Sequence, residues 1–212
     1  LGVLLLLVIA SAVYPVLGTR ARLADRFDTS VGLTLDGRAY QRVAEYGDPG
    51  MTNSPEDDNK YSLGSDAEAI DFIRENVEGS PVFLEATTEH AYRWSPRVAK
   101  YAGLPVVVGW SWHQSQQRGA GGNEPLFVRR RISDVAEMYR TTDKDRFMTL
   151  AAKYQVDYVY VGPTERTYFG GPGLGKFDAM VGQRAEVFYK RNGVVIYRLL
   201  INEGAAEMSE SL

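Results

Sequence analysis

The sequence predicts an α/β domain, a three-layer Rossmann-like sandwich with a mostly parallel sheet and a closing hairpin, preceded by one transmembrane helix. Three observations predict it. Residues Leu1 to Leu17, LGVLLLLVIASAVYPVL, carry no charge. From Ser65 onward, helical apolar stripes alternate with short apolar β-type runs, the pattern of strands covered on both faces. Near the end, Asn192-Gly193 separates two β-type runs, a strong hairpin signal. The chain therefore divides into a transmembrane helix (1–18), a linker and extended segment packing on the domain (19–64), an α/β domain (65–201) and a flexible tail (202–212).

As a helix, Leu1–Leu17 would rise roughly 26 Å, close to the ~30 Å hydrocarbon core of a bilayer. An uncleaved leader would carry a basic region before its apolar run, and a buried helix this Leu-rich would need protein on every side. Pro15 weakens the last turn but is tolerated in a span. The chain opens on Leu inside the apolar run, as a piece of a longer protein would. Arg20, Arg22 and Arg26 follow, and the positive-inside rule alone would put this flank in the cytoplasm, although only one flank is available to compare.

Val31, Leu33 and Leu35 alternate before the turn signal Asp36-Gly37, and Gln41 to Lys60 is polar and turn-rich. Ser65 and Glu68 form a capping-box pattern, with Ala69, Ile70, Ile73 and Val77 as the apolar stripe. Val82-Phe83-Leu84 is a strand. Arg97 to Tyr101 is a helix closed by Gly103, and Pro105 to Val108 the next strand. Gly109 to Gly122 reads as a long polar loop. Helices follow to Tyr139, with Ile132, Val135 and Ala136 inward, and from Thr142-Asp143, with Phe147, Leu150 and Ala151 inward. Val156 to Val161 is the clearest strand; a glycine-rich loop, Gly162 to Gly175, and a short helix from Lys176 to Val181 come before the hairpin.

Composition narrows the function. Charged residues make up 24% and aromatics 11%, ordinary for a globular domain, and the net charge of −3 offers no global field to nucleic acid. The absence of cysteine removes thiolate chemistry and every Cys-bearing metal site. His90 and His113 are the two histidines, and neither lies in a metal-binding spacing. Gly170 to Gly175 departs from GxGxxG at Pro172 and Leu174, leaving either a surface turn or an anion-contacting loop.

Glu85 ends the first core strand, with Glu89 and His90 just beyond it. The stretch carrying Trp110, Trp112, His113, Gln114 and Arg118 leaves the end of the next strand. Ligands of open α/β sheets gather at such strand ends, so both loops should meet at one rim and serve as substrate contacts, with no catalytic residue assigned. Arg129-Arg130-Arg131 is a solvated face or, if turned to a bilayer, a contact for anionic headgroups or a lipid-linked phosphate.

The blocks TLDGRAY (34–40), AIDFIRENVEGSPVFLEA (69–86), AGLPVVVGWSWHQSQQRG (102–119), VRRRISDVAEMYRTTD (128–143), YQVDYVYVGPTER (154–166) and GVVIYRL (193–199) together span nearly the whole chain. In that order they resemble the C-terminal, non-membrane part of the YYY membrane proteins, found in Chloroflexota, other bacteria and archaea. That family is similar to the lipid-phosphate-dependent glycosyltransferases of the C-type superfamily. A broader likeness is to the soluble domain of oligosaccharyltransferase catalytic subunits, whose acceptor-binding WWDYG motif is replaced here by FLEATTEHAY (83–92). The resemblance implies the tail of a polytopic enzyme, with its domain on the exoplasmic side. Its catalytic carboxylates, and the handling of a polyprenyl-phosphate sugar donor, would lie in membrane helices outside this chain. The chain would need no cofactor of its own, would not transfer sugar alone, and would have the bilayer and the parent's remaining helices as partners. The competing expectation is a single-span structural or accessory subunit of a larger membrane complex.

Overall fold

The computed structural model describes residues 1–26, 29–47, 60–87, 93–119 and 126–200. The amino-terminal helix is longer than the apolar run alone predicts. Helix α1 (Gly2–Val13) passes through a π-helical turn at Tyr14–Gly18 into α2 (Thr19–Arg26), giving one helix of 25 residues. At 1.5 Å per residue it reaches about 38 Å. None of it is buried against the rest of the protein, so its leucines and valines stand fully outward.

Beyond the helix, 3-10 turns occupy Thr29–Val31 and Ala39–Arg42, on either side of the Asp36-Gly37 turn. Strands β1 (Glu45–Tyr46) and β2 (Tyr61–Ser62) pair antiparallel. Helix α3 (Gly64–Asn76) then starts without a side-chain cap, so the Ser65/Glu68 capping box does not form. Strand β3 (Val82–Leu84), helix α4 (Arg97–Ala102), helix α5 (Ser111–Arg118), helix α6 (Leu126–Arg140) and helix α7 (Lys144–Lys153) follow. After strand β4 (Val156–Val161) come α8 (Pro163–Phe169), a 3-10 turn at Pro172–Leu174, α9 (Gly175–Asp178) and the hairpin β5 (Ala185–Arg191) and β6 (Val194–Leu199). Asn192 and Gly193 both take positive φ, 45° and 78°, the turn that matches the right-handed strand twist.

This corrects the predicted fold class. Helix accounts for 56% of the described residues and strand for 16%. The four-stranded sheet runs β3-β4-β6-β5, and only β3–β4 is parallel. A mostly parallel Rossmann-like sandwich would need further right-handed crossovers, but the chain makes one and then folds its hairpin back on β4. The expected strand at Pro105–Val108 supplies a single bridge, Val106 to Phe83. Pro105 has no N–H to donate, and Val107 and Val108 turn into the core instead.

Alternation along the strands still divides the sheet between two helical layers. Phe83, Tyr158, Tyr160 and Ile196 meet Ala69 and Ile73 of α3 and Val98 of α4. Leu84, Val159, Val161 and Tyr197 meet Val135, Met138, Phe147 and Phe177 on the opposite side. Tyr139 of α6 ties the layers, its hydroxyl 2.8 Å from the Tyr160 carbonyl and 3.0 Å from that of Leu84. Asp143 caps α7 by accepting from the N–H groups of Asp145 and Arg146 at 2.8 and 3.1 Å. Asp143→Ala should therefore cost about 1 kcal/mol of unfolding free energy in a denaturant titration, with Asp143→Asn close to wild type.

Candidate functional site

Beneath the ends of β3 and β4 lies a buried charged cluster centred on Arg97, the second residue after Ser95 at the start of α4. Its guanidinium is fully buried. Nη2 donates to Glu165 Oε2 at 2.5 Å, Nε lies 3.2 Å from Asp66 Oδ2, and Nη1 lies 3.8 Å from Glu85 Oε2. The plane stacks 4.1 Å from the centre of the Tyr160 ring. Burial opposes its charge, but Asp66, Glu165, Tyr160 and Glu85 overrule that and hold it firmly protonated.

Each carboxylate does structural work. Asp66 accepts from Trp94 Nε1 at 2.5 Å and from the Tyr160 hydroxyl at 2.6 Å. Glu165 accepts from the N–H groups of Ala86 and Gly162 at 2.8 and 2.9 Å, closing the entry to α8. Glu85 accepts from Val98 and Ala99 at 3.0 and 3.4 Å, placing its carboxyl group at the start of α4. The guanidinium fills the space between the three carboxylates. Among the described residues no cluster of His, Asp and Glu is arranged to hold a metal ion.

Of the predicted substrate contacts, Glu85 thus lies inside the domain, while Glu89 and His90 fall outside the described residues. The stretch read as the loop Gly109 to Gly122 is helix α5 as far as Arg118. The segments that follow β3 and the Val106 bridge do meet there, since Thr87 Oγ1 donates to the Gly109 carbonyl at 3.1 Å. Trp110 is half-buried and donates its indole N–H to the Ser95 carbonyl at 2.8 Å. The His113 ring stands 5.3 Å from that of Trp110, and Lys100 Nζ lies 5.6 Å from the indole. Gln114 turns aside to accept from Arg118 Nε at 2.9 Å, and Trp112 points to solvent. The structure therefore gathers Thr87, Trp110, His113 and Lys100 at one rim, with Trp112 exposed away from it and Arg118 beside Phe127.

Arg131 is held by the Val107 carbonyl at 3.2 Å and packs over Tyr154; Arg129 and Arg130 are exposed. The glycine-rich stretch is likewise structured, as α8, a 3-10 turn and α9. A Cβ on Gly173 would come within 2.3 Å of the Arg140 carbonyl and 2.4 Å of that of Tyr139, so glycine is required by close packing on α6. Lys176 is buried beneath that turn, donating to the Gly173 carbonyl at 2.8 Å, and burial brings its amine down to about 7. Arg166, Lys190, Leu174 and Tyr197 line an open groove of about 490 Å³ beside it.

The cluster itself was invisible in the sequence. Asp66, Glu85, Arg97 and Glu165 lie on separate elements, and the one local trace is an acid at the third position of a helix entered from Gly162.

No family model matches the chain, and no curated protein matches it. Among solved structures it is similar to the C-terminal globular domain of an oligosaccharyltransferase from Archaeoglobus fulgidus, at 14% identity and a TM-score of 0.40. That match covers 63% of this chain and 95% of the other.

Burial raises the Glu85 carboxyl to about 7, against the opposing pull of Arg97 and of the Val98 and Ala99 N–H groups. The unfolded chain ionises near the ordinary carboxylate value while the folded one keeps its proton to about 7, so this group favours folding at low pH. Its contribution declines as pH rises between those values and is flat above them, about 3 kcal/mol in all. Glu85→Gln mimics the protonated acid. The stability difference between wild type and Glu85→Gln should shift in favour of the variant across pH 4.5 to 7, read by urea unfolding at each pH.

Proposed function

We propose that this chain is a membrane-tethered, non-catalytic domain that works as part of a larger membrane glycosyltransferase. The observation that carries the reading is the amino-terminal helix. It is long and apolar enough to cross a bilayer, and none of its surface is covered by the folded head. In water such a helix would leave all of its large apolar side chains solvated, whereas a bilayer buries them at about 25 cal/mol per Å². Its Arg-bearing final turns, Arg20 to Arg26, suit the headgroup region.

On this reading the head lies on the exoplasmic side and presents the rim of Trp110 and His113 to the acceptor. The sugar donor, a polyprenyl phosphate, is handled by the parent's other membrane helices. The ordered sequence blocks support the glycosyltransferase assignment. An indole beside an imidazole is an apolar face next to a hydrogen-bonding edge, which suits an acceptor bearing hydroxyl or amide groups.

A single-span structural subunit is the second reading, and one observation favours it. Asp66, Glu85 and Glu165 are locked in bonds that hold the head together, which leaves little free acid for chemistry around the cluster.

The full chain should stay in the membrane pellet after alkaline carbonate extraction. Leu6→Arg with Ile9→Arg, each costing about 3 kcal/mol near the middle of a span, should release it. Release of the wild-type chain would end the tether reading. In membranes holding the assembled parent, His113→Ala should raise the acceptor KM and leave the donor KM unchanged. Unaltered acceptor kinetics would remove the rim and leave the structural subunit.

A further inference from the structure

One face of the head has no part in the rim. Helix α6 opens on Leu126 and Phe127, 74% and 46% exposed, while the next residue, Val128, is buried with Val135, Met138 and Tyr139. Residues three and four apart share a helix face, so Leu126 stands beside Arg129 and Arg130, and Phe127 beside Arg130. Arg118, closing α5, brings its guanidinium within 6.0 Å of the Phe127 ring. The same short helix presents Trp112, 57% exposed. From Ser111 to Ser133 the sequence carries Arg118, Arg129, Arg130 and Arg131 against the single acid Glu124, in a chain whose net charge is −3.

Tryptophan, phenylalanine and leucine standing in water beside arginines match the chemistry of the bilayer interface. There the rings sit at headgroup level and the guanidinium groups meet lipid phosphates. We infer that this surface, Leu126 and Phe127 with Arg118, Arg129 and Arg130, beds into the anionic headgroup layer of the bilayer that holds the amino-terminal helix, and brings the exposed Trp112 at the other end of α5 to the same interface. The inference rests on the tether reading, because the helix is what keeps a bilayer within reach. Charge selects the lipid: the local excess of arginine attracts an anionic surface that the chain's overall charge would repel. Contact here would fix the orientation of the head over the membrane and, with it, the direction in which the Trp110–His113 rim faces.

The test uses the full chain reconstituted into vesicles of phosphatidylcholine, with or without phosphatidylglycerol, containing lipid brominated high on the acyl chain. Trp94 is buried and Trp110 half-buried, so quenching that disappears in Trp112→Phe reports Trp112. The expected result is Trp112-dependent quenching that is strong in anionic vesicles and weak in neutral ones. Arg118→Glu with Arg130→Glu should lose the anionic advantage. Equal quenching of wild type and Trp112→Phe, whatever the lipid, in a chain that stays vesicle-bound in alkaline carbonate would overturn the inference and leave the tether standing. A chain that leaves the vesicles in carbonate would take both down.

Discussion

The head is organised around one buried cation. Arg97 joins α4 to Asp66 on α3, to Glu85 at the end of β3 and to Glu165 on α8, so four elements distant in sequence converge on a single guanidinium. An isolated charge at this depth would be prohibitive, and three carboxylates without a cation would be worse. Arginine suits the position because its flat fork can face several acids at once and stack on the Tyr160 ring, where a lysine would offer one point charge. Below about pH 7 the proton on Glu85, whose carboxyl burial raises, lessens the excess of negative charge around the guanidinium.

The same cluster positions the rim. Ser95, two residues before Arg97, gives its carbonyl to the Trp110 indole, and Thr87, two residues after Glu85, holds the Gly109 carbonyl. Fixing Arg97 and Glu85 therefore fixes the two segments, at Ser95 and Thr87, that hold the stretch from which Trp110 and His113 project. The acids spend their hydrogen-bonding capacity on the fold, and the edge they position at the surface is aromatic and imidazole in character.

Sequence patterns with strong local causes were legible. The apolar terminal helix, the Asn192-Gly193 hairpin, strand β4 and the Asp143 cap on α7 each follow from residues within one element. The misread segments depend on partners elsewhere. Val106 to Val108 have the β-branched character of a strand, but their places are set by the core and by Arg131, and the run turns inward after one bridge. Ser111 to Arg118, polar enough to read as loop, is helical because it packs against α6. The glycines near α9 read as a surface turn or an anion-contacting loop; a turn does form there, and Gly173 lets it lie against two α6 carbonyls. Sheet direction was the largest error, because strand periodicity reports burial and says nothing of which neighbour a strand will take. At the rim, the approach of the Thr87 and Gly109 segments follows from their places just after β3 and the Val106 bridge, but nothing in the local sequence marks the interior position of Glu85.

The direct test of this account is the unfolding free energy of Arg97→Met in the full chain in detergent, followed by urea titration at about pH 7.5 and again near pH 5. Methionine keeps the bulk and removes the charge, leaving Asp66, Glu85 and Glu165 to face one another. The account predicts a loss of about 3–5 kcal/mol at the higher pH, shrinking at the lower pH as Glu85 takes up its proton. Stability within about 0.5 kcal/mol of wild type at both pH values would contradict it, and would mean that hydrophobic packing alone holds the head together.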